Sequence, residues 1–349
     1  MVTDKSNWPD IPPYRALALQ LPAMAVNRLG VEEARHSIMA SIYRVAAQIK
    51  ASCAFIGTDC RLVVLPEYFL TGFPMGEGVA AWQAKACLQP EGQEYEALAR
   101  IAMDQRIFLC GNAYECDPHF PQLFFQVCFV FNPSGEMILR YRRLNSLFTA
   151  TPHDVLDRFL EVYGRDALFP VARTEIGQLA CIASEEILYP EIVRCLALRG
   201  AEVLLHSTSE VGSLLPSAKN IAKLARATEN LAYLVSANSA GITGTDIPAQ
   251  STDGHSQIVS YEGLRLCEAG FGESMAAHAT LHISALRAYR ARPGMANLLS
   301  RQRNELFAHE YAQRVYPPNS LEQAEPSRSQ FLQVQSLAIQ RLRDLGIIP

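Results

Sequence analysis

The sequence predicts a layered α/β fold, because segments of strand and helix character alternate along the chain with a few hairpins between them. The stretch from Thr174 to Glu191 shows the pattern most completely. Leu179, Ala180, Cys181, Ile182 and Ala183 form a short apolar run, as a strand covered on both faces requires. Ser184, Glu185 and Glu186 break that run. Pro190 then suits the first turn of a helix, and Glu191 favours its N-terminus through the dipole. The helix stops at Gly200, and residues 201–205 make the next strand.

The remaining elements follow in order. Residues 14–21 alternate enough for an opening strand, and 31–51 carry Ala, Ile and Val on one helical face. Residues 62–65 are a buried strand that runs into Pro66 and Glu67. A helix over 93–105 precedes strands at 107–111 and 123–131. Asn132, Pro133, Ser134 and Gly135 turn the chain back toward 137–141, which leads to Arg142 and Arg143. Residues 155–162 read as a helix with Asp154 suited to cap it. A helix over 218–231 is followed by a strand at 232–238, a strand and turn at 254–263, and a last strand at 278–284. Beyond Ala288 the chain turns polar, with Pro317 and Pro318 separating two helical pieces. Leu299, Leu306, Phe307 and Tyr311 form an apolar stripe there, fit to pack on the domain or on a second subunit.

With 349 residues, 49% hydrophobic and 19% charged, the chain suits one large domain or a domain plus an extension. A formal net charge of −4 gives no basic footprint for nucleic acid. No apolar run approaches the ~20 residues needed to span a bilayer. Residues 1–13 have no signal-peptide hydrophobic region. Nine cysteines are scattered without a Cys-x-x-Cys pair, which argues for reduced thiols in a cytoplasm over a disulfide framework or a zinc site. No metal or cofactor is implied.

A polar residue at the end of a buried strand, on a turn into a helix, is where a nucleophile is usually presented. That places Ser184 at the centre of the candidate site, and Cys181, three residues earlier, in mid-strand as a core cysteine. Glu67, after a buried strand and a proline, is a carboxylate shielded enough to act as a base. The plainer alternative is a solvated acid at a strand end.

Several segments together resemble the nitrilase superfamily of carbon–nitrogen hydrolases. Gly177 through Tyr189-Pro190-Glu191 to Gly200-Ala201-Glu202-Val203-Leu204 registers without a gap on that family's nucleophile segment. Leu65 to Gly72 is similar to its first-acid segment, and Gly135 to Arg143 to the segment that carries its catalytic lysine. Arg226 to Asn230, Asn238 and the segment 254–263 match its later landmarks. The resemblance covers roughly four fifths of the chain. It implies an α-β-β-α sandwich over residues 14–289, a C-terminal helical extension over 290–349, and an assembly of at least a homodimer.

It also implies site roles. Ser184 falls on the family's cysteine, Glu67 on the acid that takes the thiol proton and passes it to the leaving amine, and Arg143 on the lysine that stabilises the oxyanion. An arginine still brings positive charge but does not readily lend a proton. A salt bridge to Glu67 is its structural alternative. Asp154 or His153 lies where many members carry an acid that orients the lysine, although helix capping accounts for Asp154 equally well. Glu185 and Glu186 follow the nucleophile position, and pairing with Arg142, Arg143 or Arg194 would also explain them. Tyr68, next to Glu67, completes the expected surroundings of the substrate.

Three functions follow. The first is a hydrolase of an amide or carbamoyl compound, nearest the aliphatic-amidase and carbamoylase branches, in which Ser184 replaces a cysteine. The second is a natural pseudoenzyme that binds a small amide or acid, or a protein partner, without turnover. The third is a serine hydrolase in which the fold brings His153 or His206 to the Ser184 hydroxyl.

Overall fold

The computed structural model describes residues 9–211 and 217–349. Most of the stretch read above for an export signal lies outside the described residues.

Two six-stranded sheets form the centre. The first runs in the order His278–Leu281, Tyr14–Ala18, Cys60–Val64, Phe108–Cys116, Phe124–Phe131, Met137–Arg142. Its second to fourth strands are parallel, and the others add antiparallel. The second sheet runs Arg265–Glu268, Gln257–Val259, Tyr233–Ala237, Val203–Ser207, Gly177–Ala183, Ala172–Thr174. Its parallel centre consists of Tyr233–Ala237, Val203–Ser207 and Gly177–Ala183.

Packing makes this a four-layer sandwich. Leu62, Val64, Cys110 and Cys128 of the first sheet meet Cys181, Ala183, Leu205 and Val235 of the second in one apolar cluster. Helices Val31–Ile56 and Gln93–Gln105 cover the outer face of the first sheet through Ile38, Ile42, Leu98 and Ile101. Helices Pro190–Leu198 and Ala218–Asn230 cover the second through Val193, Leu196, Ala222 and Ala227. The strand Gly177–Ala183 therefore needs apolar residues on both faces: Cys181 and Ala183 point between the sheets, Ala180 and Ile182 under the helices. Cys181 is a core residue, its sulfur 3.9 Å from that of Cys110.

Two expectations are corrected. The opening strand is two strands, Tyr14–Ala18 and Leu21–Met24, the second pairing with Ser239–Thr243 in a separate two-stranded sheet. Buried Gln20 makes the break, donating to the carbonyls of Gly270 and Gly272 and accepting from the Ser256 N–H. Of the strand and turn expected over 254–263, the turn forms after Ser260, but the strand is only Gln257–Val259, because Gly254 (φ 90°) and His255 (φ 63°) adopt the left-handed region. Of the apolar stripe in the C-terminal segment, fit to pack on the domain or on a second subunit, Leu306, Phe307 and Tyr311 on helix Asn304–Tyr311 are 66%, 47% and 67% exposed, while Leu299 is partly buried. The last helix, Arg328–Asp344, does dock, through Phe331 and Val334, with Phe331 in a cluster with Phe120, Phe125 and Phe159. Among the described residues no helix is long and apolar enough to cross a membrane.

Candidate active site

The ends of neighbouring strands bring the site together. Ala183 pairs with Ser207, and the Ser207 hydroxyl donates to the Leu65 carbonyl at 2.8 Å. This couples the strand that ends at Ser184 to the one that ends before Glu67, across the sandwich.

Ser184 opens a short 3-10 turn, Ser184–Leu188, with φ of 50°. A serine in the left-handed region is strained, and such turns occur where a side chain must be aimed off the end of a strand. The residue is buried, and Nζ of Lys219 lies 3.5 Å from its Oγ.

Glu67 has no exposed surface. Its Oε1 accepts from Gln126 Nε2 at 2.6 Å and lies 3.4 Å from Nη1 of Arg143. Its Oε2 accepts from Ser209 Oγ at 2.8 Å. Every partner is a neutral donor or a cation, so the carboxylate is satisfied without a competing acid beside it.

Arg143 is held at each nitrogen. Nε donates to the Asn145 carbonyl at 2.7 Å, Nη1 to Gln126 Oε1 at 2.6 Å as well as toward Glu67, and Nη2 to Glu185 Oε1. Burial opposes its charge, yet Tyr68, Glu67, Glu185 and Glu186 together raise its pKa above the ordinary arginine value. The guanidinium thus stays charged and ties Glu67 to the residue that follows Ser184.

Glu185 and Glu186 point apart, as adjacent residues on one turn must. Glu186 is fully buried and accepts from the backbone N–H groups of Leu144, Asn145 and Ala183 and from the Tyr141 hydroxyl. It pins the loop after Arg143 against the nucleophile turn. Burial raises its pKa, while Arg143 and these hydrogen bonds act in the other direction. Tyr68, half-buried with φ of 58°, stacks on Tyr114 with ring centroids 5.5 Å apart. Its phenol is raised by burial and by the adjacent Glu67 carboxylate.

His153 and Asp154 are not brought to this group. Asp154 Oδ2 accepts from the N–H and hydroxyl of Thr151, and its Oδ1 from Ser320. It bonds back to Thr151 to close the 3-10 turn Pro152–Val155; it neither caps the helix Leu156–Tyr163, which starts from Val155 without a side-chain cap, nor bonds Arg143. His153 packs on Tyr316, ring centroids 6.0 Å apart.

His206 does approach Ser184, but at the wrong atom for a base. Its Nε2 bonds the Ser184 carbonyl oxygen at 2.8 Å, and its Nδ1 pairs with Ser236 Oγ at 2.9 Å. A carbonyl only accepts, so Nε2 carries the proton and Nδ1 accepts from Ser236. Burial first, then Lys223 and Lys219, push its pKa well down and keep the imidazole neutral. The arrangement braces the turn and offers the Ser184 hydroxyl no imidazole acceptor.

Sequence reasoning missed Gln126, Ser209, Lys219 and Lys223. Gln126 had a signal, a lone amide inside the apolar strand Phe124–Phe131. So did the lysines, four residues apart on helix Ala218–Asn230. Lys223 is fully buried, bonded to Glu210 and, at 3.2 Å, to Asn220 Oδ1. Ser209 had none, since its place against Glu67 depends on the packing of two sheets.

A family model described as carbon-nitrogen hydrolase matches residues 44–291. The chain is 28% identical over 224 residues to the hydrolase in the pqqF 5′ region of Pseudomonas protegens, covering 64% of this chain and 72% of that one. It is 25% identical over 252 residues to the formamidase of Bacillus thuringiensis, covering 71% of this chain and 69% of that one. Its fold is similar to Saccharomyces cerevisiae Nit3, a member of branch 10 of the nitrilase superfamily, with a TM-score of 0.60 at 20% identity over 80% of this chain and 93% of that one.

Proposed function

We propose, from the premise that this chain belongs to the carbon–nitrogen hydrolase family, that it cleaves a non-peptide C–N bond of an amide or carbamoyl compound with position 184 as the nucleophile. The formamidase relative supports an amide-type substrate. The observation that carries the reading is the fully buried Glu67 carboxylate, joined through Arg143 to Glu185 beside the strained Ser184 turn.

The chemistry runs in two halves. Glu67 takes the proton from the side chain at 184 as that side chain bonds to the carbonyl carbon, and the carbonyl electron pair moves onto oxygen. When that oxyanion collapses, the C–N bond breaks and Glu67 returns the proton to the leaving nitrogen. A water then gives its proton to Glu67 and attacks the acyl group. The acid leaves, and the proton returns to the side chain at 184. Ser184 stands where the family pattern has cysteine, and a serine without an imidazole partner is a weak nucleophile here. Turnover by the chain with serine is accordingly slow or absent.

The second reading is a binding protein without turnover. Its support is the saturation of Arg143, whose three nitrogens all hold protein acceptors. The test is ammonia release from simple amides, carbamoyl amino acids and nitriles by the chain with Ser184 and by Ser184→Cys. Turnover by the cysteine variant alone supports the hydrolase. No turnover by either folded protein supports the binding reading.

The same proposal takes residues 14–289 as the hydrolase domain and 290–349 as its extension. Exposed Leu198, Phe307 and Tyr311 around the helix Pro190–Leu198 support a homodimer. Nine free cysteines fit a reducing cytoplasm.

A further inference from the structure

Arg143 does not fill the family lysine's role as a free cation. It is a strut, its Nε, Nη1 and Nη2 all donating to protein oxygens and its charge facing Glu67 and Glu185. An ammonium beside the Ser184 hydroxyl comes from a different element, the first turn of helix Ala218–Asn230, where Lys219 Nζ stands 3.5 Å from Oγ.

Among the described residues, the Ser184 hydroxyl is the hydrogen-bond partner of that lysine. Cations are unfavourable in the first turn of a helix, where the dipole is positive, and this first turn holds no acid to offset it. Lys219 makes no ion pair among the described residues, and residues 212–216 contain no acid in the sequence. Lys223, one turn later on the same face, is by contrast buried and committed to Glu210 and Asn220. Gln257 Nε2 also bonds Asn220 at 3.1 Å, so this buried group fixes how the helix is rotated against the sheet. With Lys223 anchored inward, Lys219 is presented at the nucleophile turn. His206 lies under that turn and is kept neutral, partly by the two lysines, so it adds no second positive charge there.

We propose that Lys219 is the catalytic cation of this chain. It lowers the cost of ionising the side chain at position 184 and pairs with the oxyanion of the tetrahedral adduct, while Arg143 holds Glu67 and Glu185 in place. The oxyanion is two bonds from the atom at 184, within reach of an ammonium that already touches that atom. The inference rests on the reading of 184 as the nucleophile.

The test uses the full-length Ser184→Cys protein with Lys219 retained, or changed to Met or Arg. Alkylation of the cysteine at 184 by iodoacetamide is followed against pH by peptide mass, which separates it from the nine other thiols. Lys219→Met is expected to raise the apparent thiol pKa by about one unit and to slow alkylation at pH 7 by roughly tenfold, with Lys219→Arg retaining most of the rate. Amide turnover by the cysteine protein, where present, is expected to fall about 10²–10³-fold in kcat with Lys219→Met while KM changes little. An unchanged pH profile in Lys219→Met overturns the inference. Absence of amide turnover in every variant bears on the hydrolase reading alone, because the thiol titration needs no substrate.

Discussion

Arg143 and Glu67 form a buried ion pair, Nη1 to Oε1 at 3.4 Å, with side chains 5% and 0% exposed. At that burial each charge depends on the other and on Gln126, which hydrogen-bonds both. Removing Arg143 takes the cation from the buried Glu67 carboxylate and leaves it the neutral donors Gln126 and Ser209.

Arg143→Met should therefore destabilise the fold by about 3–5 kcal/mol in urea unfolding. The double variant Arg143→Met with Glu67→Gln should regain part of that loss, since the Glu67 charge is then no longer stranded, while Glu185 and Glu186 still lack the cation. A strictly additive double variant would show that the two residues do not act as a pair.

Glu186 takes hydrogen bonds from both the Arg143 loop and the nucleophile strand, and the Tyr141 hydroxyl is its side-chain donor. Tyr141→Phe should cost about 1–3 kcal/mol, because it withdraws one donor from a buried carboxylate. A loss below a few tenths in chemical denaturation would mean that the backbone donors suffice.

His206 gives the pH dependence a definite sign. Its folded pKa lies well below the ordinary value, owing to burial and then to Lys223 and Lys219. Below about pH 6.5 the unfolded chain binds a proton that the folded chain refuses. The stabilisation is complete above that pH and is lost as pH falls, at up to about 1.4 kcal/mol per unit. Thermal unfolding of the parent and His206→Gln between pH 7.5 and 5.5 should show a shallower slope in the variant, and equal slopes would contradict the assignment.

The exposed Leu198, Phe307 and Tyr311 should be covered in a homodimer. Mass measurement at micromolar concentration is expected to give at least twice the chain mass, and Phe307→Glu to shift the population toward monomer. A monomeric parent would remove the dimer.

By itself the sequence determined the layered α/β class, the strand–turn–helix around Ser184, the core place of Cys181 and the positions of Glu67, Glu185 and Glu186, because those depend on local periodicity and on residues close in the chain. It also kept open the pairing of Arg143 with Glu67, which the fold makes. Tertiary structure alone decided the rest. Asp154 satisfies Thr151 and Ser320 instead of meeting Arg143. His206 reaches the carbonyl and not the hydroxyl of Ser184. Lys219, 35 residues beyond Ser184, arrives beside it. Those contacts join elements far apart in sequence, and their geometry is set by how two sheets and a helix pack, which no local pattern encodes.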